Sequence, residues 1–319
     1  MKNNKKIVLV GTGLVGMSFA YSLVVQGNVD ELVLIDLNKE KAIGEAMDLQ
    51  HAGCFAKKQI RMKAGDYADC KGADIVVITA GIIQRSDQTR LDLTVDNTKI
   101  VQSVTEQIMA SGFDGILIVA TNPVDLMTAV AQKVSNLPTN RVIGTGTLLD
   151  TARLRFRLSE CLQVSPYNIH AYVFGEHGDS SFVPWSHACI GSKTIRNVLK
   201  SRKIDEDMLE EVFDEVRNAG YEIVNRKKST YYGIGMTLNR LVQAVLNDEN
   251  SILTVSAKQN GEYGYTGIYN GVPAIIGAKG VIEKLELELE PAEQQRFLDS
   301  CRLLEKIWTE TVNPVLESR

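Results

Sequence analysis

The stretch Gly11-Thr12-Gly13-Leu14-Val15-Gly16 narrows most severely what this chain can fold into. The apolar run Ile7 to Val10 precedes it and reads as a buried strand. A helical pattern follows through Val25, and a second strand, Leu32 to Ile35, ends at Asp36. Three glycines so spaced between a strand and a helix, with an acid about 20 residues further on, form a dinucleotide-binding fingerprint. Gly11 permits the tight turn, Gly13 lets the backbone approach a pyrophosphate, and Gly16 lets helix and strand pack closely. The helix N-terminus offers partial positive charge to the phosphates. Asp36 is placed to accept hydrogen bonds from an adenosine ribose and would repel a 2′-phosphate. The expected cofactor is therefore NAD rather than NADP, although Lys39 and Lys41 stand close behind.

The alternation continues. Strands are expected near Ile60 to Lys63, Asp74 to Thr79, Ile116 to Ala120 and Arg141 to Ile143. Between them come a helix that Asn38 can cap and helices at Val95 to Ser111 and Val124 to Val134. This pattern predicts an α/β fold, a Rossmann-type doubly wound parallel sheet with ligands at the carboxyl ends of its strands. Thr79-Ala80-Gly81 and Ala120-Thr121-Asn122-Pro123 are two such ends. Asn122, held extended before proline, could meet nicotinamide or substrate, or could simply make a turn. The polar run Ile82 to Leu93 between them contains Gln84, Arg85, Asp87, Gln88, Arg90 and Asp92, and reads as a lid or as a solvated loop.

The second half reads as an α+β substrate domain with antiparallel strands. Amphipathic helices are expected at Asp205 to Arg226, Tyr231 to Asn247 and Pro291 to Thr311, and strands at Ile252 to Ala257, Val272 to Ile276 and Val281 to Leu287. Ala278-Lys279-Gly280 looks like a hairpin turn. The expected division is residues 1–145 for the nucleotide and residues 146–319 for the substrate.

Two constellations in this half carry chemistry. In Val173-Phe174-Gly175-Glu176-His177-Gly178-Asp179 a histidine sits between two glycines, open to a ligand and tunable for proton exchange near neutral pH. A hydrogen-bonded structural histidine is the bland alternative. Asp150 and Arg153 share one face of a helix that begins near Leu148. They could be a surface ion pair, or an orienting carboxylate for His177 and a bidentate clamp for a substrate carboxylate. Arg155 points away from that face. His170, seven residues before His177 on a strand read as Ile169 to Phe174, would face the other side of it. A second site back to back with the first is thus possible.

Charge and cysteine usage bound the partners. The formal net charge is -4 and no long run of one sign occurs, so neither nucleic acid nor a membrane is an expected partner. The five cysteines are scattered without a CxxC pair, and the four histidines lack metal-ligand spacing, so no metal is expected. The basic segment Met1 to Lys6 leads into only four apolar residues, too few for a signal peptide or a span; a cytoplasmic protein is expected.

On these residues the chain resembles the lactate and malate dehydrogenase family, and within it the L-lactate dehydrogenases. The resemblance runs through Gly-Thr-Gly-Leu-Val-Gly from 11, Gln-Thr-Arg-Leu-Asp-Leu from 88, Asn-Pro-Val-Asp from 122, Leu-Asp-Thr-Ala-Arg from 149, Gly-Glu-His-Gly-Asp from 175 and Thr-Tyr-Tyr-Gly-Ile from 230. It implies that protonated His177, paired with Asp150, gives a proton to the pyruvate ketone, that Arg153 binds the carboxylate, and that Arg90 polarises the carbonyl. It further implies that Asn122 and Thr230 touch substrate, and that Ile234 backs the nicotinamide. Val15, Lys41, Tyr67, Gly81, Ser103 and Thr145 would line the cofactor groove by matched position. Substrate choice would rest on Gln84, where malate enzymes carry arginine; Arg85 is adjacent, and Ser86-Asp87-Gln88 replaces the family's usual Pro-Gly-Glu. Arg155 and His170 match positions that bind fructose 1,6-bisphosphate in bacterial enzymes that it activates. A homotetramer of that type is the corresponding expectation.

Overall fold

The computed structural model of the protein describes residues 4–82 and 90–318, with residues 90–92 as backbone alone. Gln84, Arg85, Ser86, Asp87 and Gln88, and the side chain of Arg90, lie outside what is described.

The first half runs β1 (Lys6–Val10), α1 (Leu14–Gln26), β2 (Glu31–Ile35), α2 (Lys39–Gly53), β3 (Arg61–Ala64), β4 (Ile75–Ile78), α3 (Arg90–Ala110), β5 (Ile116–Val119), α4 (Val124–Ser135) and β6 (Val142–Gly144). All six strands pair in parallel, in the order β3-β2-β1-β4-β5-β6. Helices cover both faces of such a sheet, so β1, β2, β4 and β5 are near-continuous apolar runs and almost wholly buried. The chain turns outward from β1 to β3, then restarts on the other side of β1 with β4. Strand order therefore reverses between β1 and β4, and the loops leaving their carboxyl ends part to form a crevice there.

The second half runs α5 (Leu148–Leu162), β7 (Ile169–His170), β8 (Cys189–Ile190), β9 (Lys193–Thr194), α6 (Ile195–Arg202), α7 (Met208–Lys227), α8 (Tyr232–Leu246), β10 (Ser251–Asn260), β11 (Thr266–Gly277), β12 (Gly280–Lys284) and α9 (Pro291–Ile307). A π-helical turn, Trp308–Val312, leads from α9 into α10 (Asn313–Glu317). The expected antiparallel strands are present, with the β11–β12 turn at Ala278-Lys279. They do not stand apart from the first sheet. β10 pairs antiparallel with β6 at Ser256↔Gly144, so that among the described residues one nine-stranded sheet runs from β12 to β3. Separately, β7, β8 and β9 form a small antiparallel sheet. It flanks a second core, in which Leu154, Leu158 and Leu162 of α5 pack with Ile195 and Leu199 of α6 and Val212, Phe213 and Val216 of α7.

The strand expected from Ile169 to Phe174 is regular only at Ile169–His170, because β8 offers just two residues to pair with. Beyond it the chain crosses to the main sheet, where Phe174 bridges Phe182 and Gly175 bridges Gly271 of β11. Gly175 then turns with a φ of 91°. His170 and His177 are therefore not related by strand alternation, which holds only along extended backbone. Asn122, expected to be extended before proline, is joined to Pro123 by a cis peptide bond. α6 and the small sheet were not foreseen; their elements are too short to show a period.

α1 and α8 run side by side at unusually close range. A Cβ on Gly235 would lie 2.7 Å from the Ser18 Cβ and 2.8 Å from the Ser18 carbonyl carbon. One turn further on, the Asn239 amide donates to Ser22 Oγ at 2.9 Å within the same buried contact. Gly235→Ala should therefore destabilise the fold by about 1–3 kcal/mol through overpacking, despite the roughly 1 kcal/mol that alanine gains in helix propensity. A lowered denaturant midpoint in chemical unfolding is the expected reading, and an unchanged or raised one would contradict this packing.

Candidate active site

The crevice between β1 and β4 is built from the fingerprint residues. Gly11, with a φ of 106°, passes so close to the loop after β4 that a Cβ there would lie 2.7 Å from the Ala80 nitrogen. Thr79 Oγ1 donates to the Gly11 carbonyl at 2.8 Å, tying the two strand ends together. A Cβ on Gly16 would run into that same carbonyl, so α1 can approach β1 only with glycine there. Gly13 caps α1 without a side-chain hydrogen bond, no acid stands in the first turn, and among the described residues nothing beyond its chain neighbours lies within 4 Å of where its Cβ would be. The first-turn N–H groups thus face an open cradle of the kind a pyrophosphate fills.

Asp36 closes the far side of this groove. Its Oδ2 accepts from Thr12 N at 2.7 Å and from Thr12 Oγ1 at 2.8 Å, and its Oδ1 accepts from Asn38 N at 2.9 Å. Burial would push this carboxyl up, but the hydrogen bonds from Asn38 and Thr12 and the charge of Lys41 outweigh it and hold the pKa below the ordinary value. Asp36 is therefore anionic near neutral pH and keeps lone pairs for further donors. Tyr67 is half-buried, its hydroxyl pushed up by burial and then by the charges of Cys70 and Asp36. Gly81 is exposed at the end of the β4 loop. Thr145 is buried just past β6, its N–H donating to the Val119 carbonyl at 2.9 Å. The parallel packing of α1 and α8 sets Val15 and Ile234 in adjoining first turns, both half-buried. Ser103 is half-buried on α3, where its contacts are with Gln107 of the same helix.

The sheet's C-terminal edge also gathers a histidine, a carboxylate and an arginine. Asp150 stands in the first turn of α5. Its Oδ2 lies 2.6 Å from His177 Nδ1, and its Oδ1 accepts from Arg153 Nη1 at 3.0 Å. The side chains of Asp150 and Arg153 are only 14% and 16% exposed, so this is no surface ion pair. The negative charge of Asp150 raises the His177 pKa; burial and the Arg153 charge oppose it, while the Asp150 hydrogen bond and the Asp125 charge add to it. Asp150 itself, which burial alone would push up, is held below the ordinary carboxylate range by His177 and Arg153. With Nδ1 committed to Asp150, the other ring nitrogen is left to exchange a proton with a ligand. Thr230 is half-buried two residues before α8, whose Gly233 lies against Leu149, the neighbour of Asp150. Asn122 is exposed at the end of the β5 loop.

One member of this site was not singled out from the sequence. Asp125, in the first turn of α4 and 2% exposed, accepts from the backbone N–H of His177 at 2.9 Å and from Ser256 Oγ at 2.5 Å. Burial lifts its pKa to about 6 against those two hydrogen bonds. It thereby pins the turn that presents the imidazole. Its signal in the chain was its place in Asn-Pro-Val-Asp, but an acid at the start of a helix ordinarily serves only the helix dipole.

Arg155 reaches the segment that follows His170. Arg155 Nε donates to the Ala171 carbonyl at 3.2 Å, and its guanidinium lies 5.0 Å from the Tyr172 ring centroid. His170, the residue before Ala171, is exposed.

Two family models match the chain: the NAD-binding domain of lactate/malate dehydrogenase over residues 5–144 and the alpha/beta C-terminal domain of lactate/malate dehydrogenase over residues 147–315. An L-lactate dehydrogenase 2 of Bacillus cereus is 51% identical over 316 residues, 99% of either chain. An L-lactate dehydrogenase of Priestia megaterium is 51% identical over 303 residues, 95% of either chain. The ligand-bound crystal structure of a minor L-lactate dehydrogenase from Enterococcus mundtii superposes with a TM-score of 0.95 at 46% identity, covering 97% of this chain and 98% of that one. A switch-point crevice that fits NAD, opening beside a histidine–carboxylate–arginine cluster, agrees with all of these, and the chain belongs to the lactate/malate dehydrogenase family as an NAD-dependent oxidoreductase.

Proposed function

We propose that the protein is an L-lactate dehydrogenase that interconverts pyruvate and (S)-lactate. The observation that carries this reading is the Asp150 carboxylate shared between His177 and Arg153. NADH, when bound, supplies the hydride that adds to the carbonyl carbon. His177, kept protonated by Asp150, donates its Nε2 proton to the carbonyl oxygen, and takes it back when lactate is oxidised. Arg153 spends one nitrogen on Asp150 and retains the remaining N–H donors of its planar fork for the substrate carboxylate. Arg90 stabilises the negative charge that develops on the oxygen as hydride arrives. Asn122 adds a hydrogen bond, and Thr230 borders the methyl group.

Residues 1–145 then hold the cofactor and residues 146–319 supply the acid–base pair and carboxylate clamp. Gln84, neutral where a dicarboxylic substrate would require a cation, favours pyruvate over oxaloacetate. Malate dehydrogenase and a dehydrogenase for a bulkier 2-hydroxy acid are the competing enzymatic readings; a non-catalytic NAD(H) sensor would have no use for Asp150, Arg153 and His177 together. We also propose a cytoplasmic homotetramer activated by fructose 1,6-bisphosphate at Arg155 and His170. The adjacency of Arg155 to Ala171 supports that site. Exposed Tyr21 and Val25 on α1, Ile43 and Met47 on α2 and Tyr232 and Met236 on α8 support burial against further copies. No described helix is long and apolar enough to cross a membrane.

Initial rates with NADH should give a higher kcat/KM for pyruvate than for oxaloacetate or 2-oxoisocaproate; equality or reversal for oxaloacetate sinks the lactate reading. The raised pKa of His177 means that its donor form persists below that pKa and is lost as pH rises through it. kcat/KM for pyruvate reduction should accordingly fall on the alkaline side. Asp150→Asn removes the charge that favours imidazolium, so this limb should move to lower pH and kcat/KM at pH 7.5 should drop by about 10²- to 10⁴-fold. An unmoved limb would dissociate the two residues. Fructose 1,6-bisphosphate should lower the pyruvate KM at pH 6 more than at pH 7.5, and Arg155→Ala should abolish that response; identical saturation curves with and without it would remove the regulatory proposal.

A further inference from the structure

Between the loops that follow β4 and β5 lies a side chain to which the reaction scheme gives no part. Asn97 is on α3 and is 1% exposed. Its amide nitrogen donates to the Asn122 carbonyl at 2.7 Å, while its amide oxygen accepts from Ile82 N at 2.9 Å. A longer contact, 3.4 Å, joins the same nitrogen to the Ile82 carbonyl. Neither partner belongs to regular structure: Ile82 follows the β4 loop and Asn122 ends the β5 loop. Parallel neighbours diverge past their last ladder bond, so their trailing loops need some other tie. Here Thr121 Oγ1 gives one, donating to the Ala80 carbonyl at 2.7 Å. Asn97 gives the other, and Gly81 between them has no room for a side chain. A Cβ on Gly81 would lie 2.6 Å from Thr121 Cγ2 and 3.2 Å from Asn97 Oδ1.

We propose that Asn97 is a positioning residue for the dehydrogenase reaction: its amide braces the Asn122 backbone against Ile82 and so sets where the Asn122 side chain meets the 2-oxo acid. The inference deepens the proposed function and rests on Asn122 being a substrate-binding residue. An amide suits the place because it donates through one atom and accepts through another two bonds away. A carboxylate there would still accept from Ile82 N but would set a negative oxygen against the Asn122 carbonyl. A protonated carboxyl would restore both bonds, since its hydroxyl can donate where the amide did.

The test compares N97D, N97S and N97L with wild type and with N122A. It uses whichever of pyruvate and oxaloacetate the wild type prefers, so that a wrong substrate assignment shows in the wild type and leaves the brace testable. NADH affinity is followed by fluorescence and folding by thermal unfolding. At pH 7.5, N97D should lose about tenfold to a hundredfold in kcat/KM for the 2-oxo acid, with NADH Kd within about twofold of wild type. Its kcat/KM, taken as a ratio to wild type so that the titrations of His177, Asp150 and Asp125 cancel, should recover as pH falls and the introduced carboxyl protonates. N97S, with a donor and an acceptor on a shorter arm, should fall between N97D and wild type; N97L should show the loss without the recovery. Should leucine prevent folding, N97D and N97S carry the comparison. N97D within twofold of wild type at pH 7.5, a loss that tracks NADH affinity, or a ratio flat with pH would overturn the proposal, as would an unimpaired N122A.

Discussion

The carboxylate of Asp150 is the point on which the rest of the site depends. An ionised carboxylate withdrawn from water costs several kcal/mol unless its charge and lone pairs are met. One oxygen meets the His177 ring, the other the Arg153 guanidinium. The two partners arrive differently. Arg153 comes with the helix, three residues along α5. His177 comes from a turn that must be held in place from outside. Gly175 is bridged to Gly271 of β11, and the His177 N–H is held by Asp125 at the start of α4. The imidazole is thus fixed by its own pairing and by two distant parts of the chain.

That convergence explains why the second half adds its strands to the first half's sheet. β10 supplies Ser256, which bonds Asp125 and pairs with Gly144 of β6; β11 supplies Gly271. Had these strands formed a sheet of their own, the histidine turn would have lost its anchors to the nucleotide-binding half. The same edge gathers the β1–β4 crevice, Asn122 and the first turns of α1, α5 and α8. Hydride and proton donors must approach one carbon–oxygen bond from different sides, which requires such a meeting of separate loops on rigid elements.

Legibility in the sequence followed the range of the interactions. The glycine fingerprint, Asp36 and the alternation of β1 to β6 were readable because each is a local pattern with a local physical reason. So was the pairing of Asp150 with Arg153, three residues apart on one helix. The assignment of His177 to Asp150 needed the chemistry of proton transfer and the family resemblance as well. Asp125 and Asn97 escaped notice because an acid at a helix start and an amide within a helix are unremarkable until their partners, 52 and 25 residues away, are known. The relative facing of His170 and His177 was not legible, because one glycine at positive φ between them ends the strand alternation.

By itself, then, the sequence determined a parallel nucleotide-binding sheet, a preference for NAD and the residue types able to move a proton and hold a carboxylate. These follow from glycine's conformational freedom, apolar periodicity and the acid–base character of single side chains. Only the tertiary structure decided that both halves share one sheet, that Asp150 serves histidine and arginine at once, and that Asp125 and Asn97 hydrogen-bond the backbones of His177 and Asn122. The physical reason is that a buried polar group must find partners in the space around it. That space is shared by segments far apart in the chain, whose mutual distances are set by packing rather than by spacing along the sequence.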